Sequence, residues 1–78
     1  MTARELLLEQ RNQIKGRTYL LGKTLTDIVK EIRGMGYPKL TLMEFGRYVQ
    51  GYQSARSDEV IKLTFEILDK WEKEKNAN

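Results

Sequence analysis

The stretch that decides the fold runs from residue 24 to residue 51: Thr24-Leu-Thr-Asp-Ile-Val-Lys-Glu-Ile-Arg33, then Gly34-Met-Gly-Tyr-Pro-Lys-Leu40, then Thr41-Leu-Met-Glu-Phe-Gly-Arg-Tyr-Val-Gln50 and Gly51. Its first part predicts a helix. Thr24 and Asp27 have the spacing of a capping box, in which each side chain satisfies an orphan backbone amide. Leu25, Ile28, Val29 and Ile32 follow at i, i+3, i+4 and i+7, one apolar helical stripe. That helix should end near Gly34 or Gly36, before a turn in which Pro38 forbids its predecessor the helical region. Thr41 and Glu44 repeat the capping pattern. They open a short helix whose buried side would be Leu42, Phe45 and Val49, with Tyr48 at its edge, before Gly51 ends it. Met43, Glu44, Arg47 and Gln50 would occupy the opposite face.

Outward from this pair, two more helices are predicted. Thr2 and Glu5 form a third capping pattern, and Leu6, Leu7 and Ile14 give an apolar side to a helix over about 3–15, with Gly16 as its stop. Residues 17–22 (Arg-Thr-Tyr-Leu-Leu-Gly) are assigned to a connector. Ser57, with Asp58 and Glu59 at the positive end of the helix dipole, caps a fourth helix that carries Val60, Ile61, Leu63, Phe65, Ile67, Leu68 and Trp71. Residues 1–72 are thus expected to form one small all-α, four-helix domain, and 73–78 a polar tail.

Composition narrows the chemistry. The 78 residues include 14 Lys+Arg, 11 Asp+Glu, one Pro, and no His or Cys. Histidine bases, serine and cysteine triads, and histidine or cysteine metal sites are therefore all excluded. An enzyme is not expected, nor a cofactor or a metal. The net charge of +3 is unevenly placed: ten basic against five acidic residues up to residue 56, four against six beyond it. Leu6-Leu7-Leu8 is too short for an apolar signal core and no run can span a bilayer, so a cytoplasmic protein without a membrane partner is expected.

Two short helices separated by a glycine-containing turn, the second with a mixed polar face, meet the requirement of a DNA-reading helix-turn-helix. The major groove, about 12 Å wide, admits one helix, which a second must hold from across the phosphate backbone. Thr26-Asp-Ile-Val-Lys-Glu-Ile32 resembles the first helix of the phage repressor/Cro helix-turn-helix family. Phe45-Gly-Arg-Tyr-Val-Gln-Gly51 resembles the end of its recognition helix, and Tyr52-Gln-Ser-Ala-Arg-Ser-Asp58 is similar to the loop that leads into its supporting helix. The resemblance spans residues 24–68, with a turn around Tyr37-Pro38 longer than the family's.

What the resemblance implies is a sequence-specific DNA-binding regulator of phage or mobile-element type, with helix 42–50 in the major groove of double-stranded DNA. Carried over by position, Thr41, Met43, Glu44 and Arg47 would face base edges, and Arg47 could bind guanine bidentately. Two bland alternatives stand beside this: an ion pair between Arg47 and Glu44, and Glu44 as a cap only. Lys39, Gln50, Tyr52, Gln53 and Arg56 would meet phosphates. Arg11, Lys15, Arg17 and Lys23 form a run of cations with no acid among them, either a solvated helix end or further backbone contacts made by Lys15, Arg17 and Lys23. Leu63, Ile67 and Trp71 are either core or the seam of a homodimer that sets two recognition helices one DNA turn apart. The competing function is a small helical adaptor or inhibitor that grips a host protein through Trp71, Phe65, Tyr48 and Tyr52.

Overall fold

The computed structural model describes residues 3–77, with side chains from Glu9 onward. Four helices follow one another: α1 (Ala3–Leu20), α2 (Leu25–Arg33), α3 (Leu42–Gln50) and α4 (Ala55–Asn76). There is no strand among the described residues, and no helix among them is long and apolar enough to cross a membrane. The capping pattern expected at Thr2 and Glu5, and the apolar side expected at Leu6 and Leu7, rest on Thr2 and on side chains before Glu9, outside what the structure describes.

The middle of the chain folds as its spacing predicts. Thr24 and Asp27 form a reciprocal box, with Asp27 N–H donating to Thr24 Oγ1 over 3.2 Å and Thr24 N–H to Asp27 Oδ2 over 2.9 Å. Ile28, Val29 and Ile32 of α2 are buried, and Leu25 packs partly against them. Pro38 takes the second position of a tight turn that Leu40 N–H closes onto Tyr37 O at 3.1 Å, where its fixed φ suits the turn.

Three boundaries and the burial of one residue differ from expectation. α1 runs through Gly16 and absorbs most of the expected connector. The residue that ends it is Gly22, whose φ of 70° lets its own N–H reach Tyr19 O and Lys23 N–H reach Thr18 O, the two bonds of a Schellman cap. α4 starts earlier because Ser54, not Ser57, is its cap. Ser54 N–H donates to Ser57 Oγ at 2.7 Å and Ser57 N–H to Ser54 Oγ at 3.0 Å, so Ser57 is the buried inner half of a box. At its other end α4 continues to Asn76, and the segment after Glu72 is helix, not tail. Leu42, expected inside, is 46% exposed, and the buried leucine of this region is Leu40.

α4 is the spine, in contact with all three other helices, while α3 also meets α1 and α2. The core combines Ile14 of α1, the α2 stripe, Leu40, Phe45, Tyr48 and Val49 around α3, and Val60, Ile61, Ile67, Leu68 and Trp71 of α4. Burial of such side chains stabilises by about 1.5–3 kcal/mol each.

Candidate nucleic-acid interface

Helix α3 is nine residues, about 14 Å, long. Both of its ends are fastened. At the start, Thr41 Oγ1 accepts the Glu44 N–H at 3.1 Å, and Arg33 Nε of α2 donates to Leu40 O at 2.7 Å, tying the end of α2 to the entry of α3. At the end, Gly51 adopts φ 118°, and its N–H and that of Tyr52 close a second Schellman cap on Tyr48 O and Arg47 O. Arg11 then reaches in from α1. Its Nη1 donates to Tyr48 O at 3.1 Å and Tyr52 O at 2.8 Å, and its Nη2 to Asp58 of α4 at 3.0 Å. A buried guanidinium thus meets the negative end of the α3 dipole.

A polar latch holds the flank. The Tyr37 hydroxyl donates to Glu59, the Arg56 guanidinium lies 5.7 Å from the Tyr37 ring centre, and Arg56 pairs with Glu44 at 3.6 Å. Donation to Glu59, with some desolvation, raises the Tyr37 pKa. The Tyr48 and Tyr52 rings stack with centres 6.2 Å apart.

What faces outward on α3 is Leu42, Met43, the half-exposed Gly46, Arg47 and Gln50. The pair weighed for Arg47 is not made. Glu44 is engaged by Arg56 and by the Tyr48 hydroxyl, and the exposed Arg47 side chain has no hydrogen bond or ion pair among the described residues. Thr41 and Met43 are exposed at the head of the same helix, Met43 at 72%. Residues 37–56 carry three basic side chains, Lys39, Arg47 and Arg56, against the single acid Glu44.

The other sequence candidates divide. Lys15, Lys39, Gln50 and Gln53 are exposed and form no side-chain hydrogen bond or ion pair among the described residues. Tyr52 is exposed beside Tyr48. The run of cations from Arg11 to Lys23 does not act as one surface. Arg11 is buried, Arg17 bonds Glu72 at 2.9 Å and Asp69 at 2.8 Å, and Lys23 Nζ lies 5.1 Å from the Trp71 ring centre. Of the residues weighed as core or seam, Ile67 and Trp71 are buried within the chain and Leu63 is half-buried against the core. Two features of the α3 face escaped the sequence reading, Leu42 and Gly46. Leu42 directly follows its cap, where the helix has only begun and the i+3 stripe does not yet fix a face; a glycine inside a capped helix was the visible signal for Gly46.

Among the described residues no group of three acidic side chains could hold a metal ion. No protein family, curated protein or solved structure matches this chain.

Proposed function

We propose that the protein is a sequence-reading DNA-binding domain in which α3 enters the major groove, α2 braces it from across the phosphate backbone and α4 supports both. The observation that carries this reading is the Arg47 side chain, exposed on a short, doubly capped helix and free of the neighbouring carboxylate. A free guanidinium on such a helix is matched to the O6 and N7 acceptors of guanine. Lys39, Gln50, Gln53 and Lys15 are free to meet phosphates, which position the helix without specifying sequence. Occupancy of a short operator by one copy, or by two on a palindrome, would regulate transcription by blocking or recruiting polymerase, as in phage and mobile-element repressors.

The adaptor reading loses most of its anchors. Tyr48 and Trp71 are buried and Phe65 is half-buried, which leaves Tyr52.

The test is fluorescence anisotropy of labelled duplexes, first a random pool at two salt concentrations and then the sequences selected from it. Binding should weaken steeply as salt rises. Arg47→Ala should weaken the selected duplex by about 1–3 kcal/mol and relax one base position, while random duplexes are little affected. Equal loss on selected and random duplexes contradicts the assignment.

A further inference from the structure

The middle of the outward face of α3 is a glycine. Gly46 sits inside the helix without a positive φ, where glycine is disfavoured relative to alanine. A Cβ added there meets nothing within 4 Å, so neither the backbone nor the packing of this chain calls for glycine. Gly51, by contrast, needs its φ of 118° to cap the helix. With about 3.6 residues per turn, Leu42, Gly46 and Gln50 fall along one line, with Met43 and Arg47 on its flank. The missing side chain therefore leaves a notch between two exposed apolar side chains at the head of the helix and two polar ones behind them. Such a notch serves a surface that comes into contact with the helix backbone itself.

Resting on the DNA reading above, we infer that the notch admits a base-pair edge, so that Leu42 and Met43 pack on thymine 5-methyl groups while Arg47 reads a neighbouring guanine. The occupant is duplex DNA because Lys39 before α3 and Arg47 on it are exposed cations without an acid partner among the described residues, while Glu44, the one acid of residues 37–56, is paired with Arg56. Thymine is the base whose major-groove edge offers an apolar group. The target class is then a duplex carrying thymine next to guanine, read with the helix seated close to the bases.

The best duplex selected from a random pool is resynthesised with deoxyuridine replacing each thymidine in turn, which removes only the methyl group. Affinity should fall about threefold to tenfold at one or two thymines next to the guanine that Arg47→Ala ceases to discriminate. Gly46→Ala should melt about 2–6 °C higher yet bind the selected duplex at least tenfold more weakly. Gly16→Ala, whose added Cβ also meets nothing within 4 Å, should show the thermal gain with binding retained. Selected duplexes that tolerate uracil at every position, or a Gly46→Ala protein that binds like its parent, overturn the inference and leave DNA reading intact. A protein that selects no duplex from the pool overturns both.

Discussion

Arg11 carries a full charge at a position with no exposed surface. Its two Nη atoms serve three acceptors on the far side of the chain, while Nε has no partner, so the residue acts as a three-way clamp and not as a surface cation. Removing it strands the Tyr52 carbonyl and leaves the Tyr48 carbonyl to the Gly51 N–H alone, at the point where α3 ends and the chain turns into α4. Arg11→Met should therefore lower stability by about 2–4 kcal/mol in urea unfolding, while Asp58→Asn, at a carboxylate that is 58% exposed, should cost clearly less. Nothing in the sequence separates Arg11 from Lys15, Arg17 or Lys23. All four are cations near one helix end, and only the packing of α1 against α3 and α4 buries one, pairs another with acids more than fifty positions away and lays a third on Trp71.

At the scale of the element, caps decide where each helix begins and ends, and they do so by side-chain chemistry at fixed offsets. The α2 cap gives a measurable case. Asp27 accepts bonds from the Thr24 N–H and hydroxyl, which hold its carboxyl below the usual aspartate range. Because the folded pKa is depressed, the contribution is full above the ordinary aspartate value of about 3.9 and is lost as the pH falls through the lower folded value. The stability gap between the parent protein and Asp27→Asn should accordingly shrink as the pH drops below about 4, followed by urea unfolding across a pH series. Thr24→Ala should cost about 1 kcal/mol at neutral pH. The α2 box was legible because threonine and an acid stand three apart; at α3 the same spacing gives only half a box, since Thr41 caps the Glu44 N–H while the Glu44 carboxylate turns to Arg56 and Tyr48. The end of α1 was misplaced because two glycines, Gly16 and Gly22, compete on sequence, and a helix is ended by the one whose backbone can turn left-handed where the final carbonyls need donors.

For the whole molecule, the core formed by the described residues lies within one chain. Ile67 and Trp71, which a dimer seam would have needed on the outside, pack inward, and Lys23 covers the indole. Trp71, buried within the chain, is placed to report folding. Its emission should shift to the red on heating together with loss of helical circular dichroism, at a midpoint unchanged over a hundredfold range of protein concentration. A midpoint that climbs with concentration would show that a second copy completes the fold. The acidic character of the C-terminal part is likewise used internally, since Asp69 and Glu72 are bonded to Arg17.

The sequence by itself determined the all-helical class, the positions of α2 and α3, the apolar face of α2 and the absence of histidine and cysteine side chains from these 78 residues. These follow from residue type and from spacings of three and four, which a local helix turns directly into caps and stripes. Tertiary structure alone decided which cations remain free, that Leu40 and not Leu42 fills the core, and that Arg56 takes Glu44 and leaves Arg47 open. Those outcomes depend on partners brought together from different helices, and local spacing does not fix how one helix packs on another.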